Sequence, residues 1–129
     1  MSAAIAPGLT ERQFQRQVIE YAQLMGWRCA HFRPAQTERG WRTAVEADGA
    51  GFPDLVLVRG VELIFCELKA EKGKLSAAQS EWLGTLETVA RRVAHMTACY
   101  TGQRVEPAGV EVYVWRPSDW PELEERLAR

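Results

Sequence analysis

Apolar positions recur along this chain in two rhythms. Phe14, Val18, Tyr21 and Met25 follow one another at three- and four-residue steps up to Gly26, which lines one face of a helix. Thr10 with Gln13 forms a capping box ahead of them, so residues 11–25 are predicted as an amphipathic helix. Trp82, Leu83, Leu86, Val89, Ala90 and Val93 repeat the helical rhythm behind a second capping box, Ser76 with Gln79. The continuous apolar runs at 55–58 and 63–68 read instead as strands covered on both faces. Arg59-Gly60-Val61-Glu62 between them reads as a hairpin turn. Shorter strands are predicted at 28–32 and 110–115, and Ser118 is expected to cap a last, acidic helix. Residues 33–53 lack periodicity and are rich in Gly, Pro and charge, which predicts a long loop. Gly102, Pro107 and Gly109 suggest the same for 95–109. The order α-β-β-β-α-β-α predicts an α/β fold with a mixed central β-sheet flanked by helices.

Composition narrows the setting. With 129 residues and 47% hydrophobic content, a single domain over residues 1–129 is expected, its core within about 10–127. No apolar stretch approaches the ~20 residues of a bilayer span, and MSAAIAPGLTE lacks the basic start and apolar segment of a signal peptide. Cys29, Cys66 and Cys99 are odd in number, far apart and without a CxxC pair. That pattern argues against a disulfide framework or a zinc site and for a reducing, cytoplasmic location. The net charge of −1 conceals an uneven distribution, because residues 1–105 carry 13 Lys/Arg against 11 Asp/Glu and residues 106–129 carry 3 against 6. Any contact with a polyanion would therefore come from local patches.

The ionisable residues at the ends of the apolar runs carry the chemistry. Alternation places Glu67 and Lys69 on the strand face used by Leu63 and Phe65, at the edge of a buried region. Desolvating either one alone costs several kcal/mol, so a compensating partner is expected. Asp54 opens the preceding strand and reaches the same rim if the two strands pair as neighbours. Two converging carboxylates repel each other, and a hard cation such as Mg²⁺ relieves that repulsion with oxygen ligands: Asp54, Glu67 and the backbone carbonyl of Leu68. Lys69 beside them is suited to orienting or deprotonating a water, or to offsetting charge in a phosphoryl transition state. Helix phase adds Glu11, one turn before Phe14, and Gln79, before Trp82 and Leu83, while it leaves Glu20 on the surface. Lys72 and Lys74 follow the site directly as a candidate phosphate clamp, and Arg33, Arg39 and Arg42 sit in the long loop as further candidates for contacting phosphates.

Each of these residues also has an ordinary reading. Asp54 suits a Pro-Asp turn. Glu67 with Lys69 suits a surface ion pair, Gln79 a helix cap, and Glu11 a favourable place at a helix N-terminus. Their joint convergence beside two buried strands favours the site. With two histidines there is no HExxH or histidine–metal nuclease pattern, and no Gly-rich phosphate loop for a nucleotide cofactor occurs.

The stretch GFPDL at 51–55 with ELK at 67–69, then GKLSAAQSEWL at 73–83 and the closing VEVYVWRPSDWPELEERL, resembles one nuclease family. It is similar to the VRR-NUC branch of the PD-(D/E)XK nuclease superfamily, especially the short stand-alone versions of bacteriophages and bacteria. The resemblance covers residues 10–87 and 110–127. It implies a restriction-endonuclease-like core and Mg²⁺- or Mn²⁺-dependent hydrolysis of DNA phosphodiesters. Asp54 and Glu67 would be metal ligands, Lys69 the catalytic lysine, and Glu11 and Gln79 the further site residues. Compact members resemble dimeric junction-resolving enzymes, which implies a homodimeric endonuclease on branched DNA such as four-way junctions. A less selective nicking or end-degrading nuclease, or a non-catalytic DNA-binding subunit, is the alternative.

Overall fold

The computed structural model describes residues 8–32, 35–37, 40–42, 45–99 and 109–129, with 35–37 and 40–42 described by backbone alone. Helix α1 spans Glu11–Leu24. The Thr10 hydroxyl accepts from the Gln13 N–H at 3.1 Å, and the Gln13 side chain accepts from the Thr10 N–H at 2.9 Å. Phe14, Val18 and Ala22 form its fully buried stripe. The chain turns at Gly26, whose φ of 87° favours a residue without a Cβ, and enters β1, Arg28–His31.

A four-stranded sheet follows, in the order β1-β4-β5-β6, where β4 is Leu55–Arg59, β5 Glu62–Leu68 and β6 Gly109–Trp115. Strands β1, β4 and β5 are antiparallel neighbours, and the tight β4–β5 turn passes through Gly60 at φ 59°. Strand β6 runs parallel to β5. A parallel pair needs a long crossover, and helix α2, Ala77–Cys99, lies within it. The chain ends in α3, Trp120–Ala128. The predicted mixed sheet flanked by helices is the observed architecture.

Alternation along β5 divides the interior. Ile64, Cys66 and Leu68 are fully buried and join Leu55, Leu57 and Trp115 in a core with α1 and with Leu123 and Leu127 of α3. Phe65 and Glu67 occupy the other face, where Phe52 makes edge-on contacts with Phe32, Phe65 and Trp82 of α2. Burying each large aliphatic or aromatic core side chain stabilises the fold by about 1.5–3 kcal/mol. The first face therefore holds the sheet to α1 and α3, and the second seats α2.

At the Gly60 end of the sheet, charge fastens the helices. The Arg59 guanidinium stacks 4.3 Å from the Trp27 ring centroid and donates to the carbonyls of Met25 and Leu127. The buried Arg126 binds Glu111 and Glu62. Glu62, read from the sequence as part of the hairpin turn, belongs to this anchor.

Several boundaries differ from expectation. The stretch 33–53 is not structureless: β2, Ala35–Thr37, pairs antiparallel with β3, Gly40–Arg42. Helix α2 continues to Cys99 instead of breaking at 95, because Leu86, Ala90, Val93 and Thr97 keep a half-buried line. Val89, predicted on the buried face, is 50% exposed, since it lies one residue off that line. Ser118 does not cap α3. It lies in a 3₁₀ turn, Pro117–Asp119, that leads directly into the helix. No described helix is long and apolar enough to cross a membrane.

Candidate active site

The site forms where β4 begins and β5 ends. Antiparallel pairing sets Leu55 opposite Cys66, so Asp54, one residue earlier, falls beside Glu67. Pro53 is fully buried, and the Asp54 carbonyl accepts from the Phe32 N–H at 3.0 Å, which anchors this start to β1. The Asp54 carboxylate then accepts from the backbone N–H of Leu68 at 3.0 Å. A Pro-Asp turn alone would leave that carboxylate in solvent; here it ties two strands together. Leu68, whose carbonyl was expected to be a metal ligand, thus lies between Glu67 and Lys69 with its N–H held by Asp54.

Glu67 is 1% exposed and Lys69 9% exposed, so they are not a surface ion pair. The Lys69 Nζ stands 4.0 Å from Glu67 Oε1, and Gln79 donates from Nε2 to the same oxygen at 2.9 Å. Glu67 Oε2 finds no hydrogen-bond donor among the described residues. Burial, then the neighbouring Asp54 charge, pushes the Glu67 carboxyl up to about 8, and Lys69 only partly offsets them. With both carboxyls ionised, Oε2 is stranded; a proton shared with Asp54, or a cation, relieves it.

Gln79 has two jobs. Its Oε1 accepts from the Ser76 N–H at 2.8 Å, completing the predicted capping box, while Nε2 faces Glu67. The cap and the site role were alternatives in the sequence, and the structure contains both contacts. Glu11 is half-buried in the first turn of α1. Its carboxyl is raised chiefly by burial, with Lys69 lowering and Asp54 raising it, so it belongs to the same electrostatic neighbourhood.

The structure therefore brings Glu11, Asp54, Glu67, Lys69 and Gln79 together. Lys72 and Lys74 are exposed on the segment between β5 and α2, adjoining Lys69. Arg33 and Arg39 lie outside the described residues, and Arg42 is described only as backbone of β3. Sequence reasoning missed Phe52. Its aromatic contacts hold the Asp54 approach against α2, and its position before Pro53-Asp54 was the available signal.

The family model described as VRR-NUC domain matches residues 10–99, a span that holds every one of these site residues. The chain belongs to the VRR-NUC family. No curated protein matches it. A VRR-NUC domain implies a nuclease of the PD-(D/E)XK type, a hydrolase with DNA as substrate.

Nucleases of this type generally use divalent metal ions, which require oxygen-rich donors. Among the described residues no three of His, Cys, Asp and Glu form a metal-holding group. The set available in this VRR-NUC chain is two carboxylates, backbone carbonyl and water. Such all-oxygen donors suit a hard cation that keeps part of its hydration. The orphaned Oε2 of Glu67 and the carboxylate repulsion are the observations that fit.

Proposed function

We propose that this chain, as one domain, is an Mg²⁺- or Mn²⁺-dependent endonuclease that hydrolyses phosphodiesters in branched DNA such as four-way junctions. The supporting observation is the half-buried Asp54 beside the buried Glu67, held with Lys69 and Gln79 on the rigid ends of two paired strands. In this reading Asp54, Glu67 and the Leu68 carbonyl would hold the cation. When bound, it would stabilise negative charge at phosphorus and make a coordinated water more acidic. Gln79 fixes the Glu67 carboxylate, while Lys69 orients the attacking water and offsets charge on the phosphoryl oxygens. Glu11 completes the acidic rim from the opposite helix. Water adds to phosphorus, one bridging P–O bond breaks, and the departing oxygen takes a proton. Lys72 and Lys74 grip flanking phosphates, with Arg33, Arg39 and Arg42 as further contacts.

The preference for branched DNA and the homodimer rest on the resemblance to compact junction-resolving enzymes. A symmetric dimer carries two such sites, one for each strand to be cut. The test is cleavage of labelled four-way junction, flap, splayed and linear duplex DNA with Mg²⁺, Mn²⁺ or EDTA, alongside light scattering. Cleavage that survives EDTA, or full activity in Lys69→Ala or Glu67→Gln, overturns the mechanism. Equal cutting of all four substrates overturns the branch preference, and a monomer by light scattering overturns the dimer.

A further inference from the structure

The corner that follows β6 lies beyond the residues matched by the family model, yet it holds the segment next to Lys69. The β5–β6 ladder runs one step past Leu68, because the Lys69 N–H donates to the Trp115 carbonyl at 3.0 Å. Residues 70–73 then form a tight turn, closed by the Gly73 N–H on the Ala70 carbonyl at 2.9 Å. Two contacts from the corner grip this turn at each side. Arg116 Nη2 donates to the Gly73 carbonyl at 2.7 Å, and the Ser118 N–H donates to Glu71 Oε2 at 3.0 Å. The corner itself is stiffened, since the Arg116 N–H donates to Asp119 Oδ2 at 2.8 Å and the Asp119 N–H returns to the Arg116 carbonyl.

Gly73 also packs closely on Lys69. A Cβ added there would meet the Lys69 Cδ at 3.4 Å and the Ala70 carbonyl oxygen at 3.3 Å. The aliphatic stem of Lys69 is thus covered by a turn that Arg116 and Glu71 hold in place. Lys72 within that turn and Lys74 directly after it are both exposed.

We propose that Arg116 and Glu71 are positioning residues: they lock the 70–73 turn so that Lys69 is aimed into the site and Lys72 and Lys74 are set along the bound DNA. This deepens the nuclease reading and rests on it. An arginine suits the post because its fork reaches a backbone carbonyl while keeping positive charge beside the two lysines. Glu71 is exposed, and its carboxyl is held below the ordinary range by the bonds from Ser118 first and by Arg116 last. Its negative charge makes the bond from the Ser118 N–H charge-assisted.

The experiment compares wild type with Arg116→Ala, Glu71→Ala and Glu71→Gln in three measurements. Limited trypsin digestion with mass analysis reads access to Lys72 and Lys74, and needs no nuclease activity. Cleavage of a labelled DNA junction at saturating Mn²⁺ separates kcat from KM, and thermal melting reports global stability. The two alanine variants are expected to be cut in the turn faster by about tenfold, a local opening without a shifted melting midpoint. They should lose about tenfold in kcat, because misplacing a catalytic group by about 1 Å costs that order or more. Glu71→Gln keeps an acceptor oxygen for Ser118 and should stay near wild type in both. A turn that stays protected in the alanine variants, or one that opens while kcat holds, overturns the proposal. A wild type that cuts no DNA overturns the nuclease reading and the catalytic role given to the turn, while the trypsin rates still show whether Arg116 and Glu71 tether it.

Discussion

Gln79 donates to Glu67 across 2.9 Å while its carbonyl oxygen closes the cap of α2 at 2.8 Å, so one amide joins a helix start to a buried carboxylate. Only an amide serves both ends. Glutamate at this place would keep the capping box but set a carboxylate against Glu67. Gln79→Glu should therefore keep the helix cap yet melt below wild type, because the buried carboxylate loses its donor and gains a like charge. Its single-turnover rate should fall by roughly 10–100-fold, the worth of a hydrogen bond to a charged group plus added repulsion. Gln79→Ala should show the same catalytic loss and also lose about 1 kcal/mol with the cap. Unaltered cleavage by Gln79→Glu would separate the helix cap from the chemistry.

The raised Glu67 carboxyl gives a pH dependence of defined sign. In the unfolded chain it titrates near its ordinary 4.5, and in the folded chain at about 8. Between these values the native state holds a proton that the unfolded state has released, so stability falls as pH rises through the window. A divalent cation that favours the ionised carboxylate should restore stability at the alkaline end and release protons on binding. Urea midpoints at pH 5 and pH 8, with EDTA and with Mg²⁺ or Mn²⁺, measure both effects. Glu67→Gln should flatten the pH slope and abolish the cation's stabilisation. A cation that stabilises Glu67→Gln as well as wild type binds elsewhere.

Sequence pattern reached the site where its geometry is local or periodic. Glu11 and Gln79 could be placed by helix phase, and Asp54, Glu67 and Lys69 by strand ends. The fold class was legible for the same reason, since β4 and β5 are built on the apolar runs 55–58 and 63–66. The pairing of β2 with β3 was not, because three-residue strands are too short for an alternation to register. Nor were Arg116 on Gly73, 43 residues apart, and Arg126 on Glu62, 64 apart. A single long side chain that meets a distant partner leaves no period in the sequence.

Two glycines with positive φ separate backbone strain from site geometry. Gly60 has φ 59° and nothing within 4 Å of an added Cβ. Gly60→Ala should cost about 1 kcal/mol from the left-handed backbone alone, with cleavage unchanged. Gly51 has φ 83°, and an added Cβ would lie 2.5 Å from the Ala78 carbonyl carbon, next to Gln79. Backbone cannot yield as a side-chain tip does, so the 51–54 approach must move away from α2. Gly51→Ala should lose more stability than Gly60→Ala, and also at least about tenfold in rate as Asp54 shifts relative to Glu67. Chemical denaturation with single-turnover cleavage of both variants provides the comparison. Equal rates in the two would show that the Gly51–Ala78 contact does not set the site.

The anchor around Arg126 should bear on stability and leave chemistry alone. Its guanidinium donates through Nε to Glu111 Oε2 at 2.8 Å and through Nη2 to Glu62 Oε1 at 2.9 Å, near the Trp27 ring. Tyr113 donates to the other oxygen of Glu111 at 2.8 Å, and Trp27 donates to the Leu127 carbonyl at 2.9 Å. Arg126→Ala removes the cation shared by two carboxylates and opens space beside Trp27, at a cost of about 3 kcal/mol. Arg126→Met keeps most of the apolar stem and should cost less. Glu62 begins β5 and Glu67 lies near its end, which puts the anchor about 16 Å from the site along the strand. Separated contacts of this kind act nearly independently, so cleavage per folded molecule should stay within about twofold of wild type. Urea unfolding gives the first quantity and single-turnover cleavage well below the midpoint gives the second. A rate that falls in step with stability would instead couple the α3 anchor to Asp54 and Glu67 through β5.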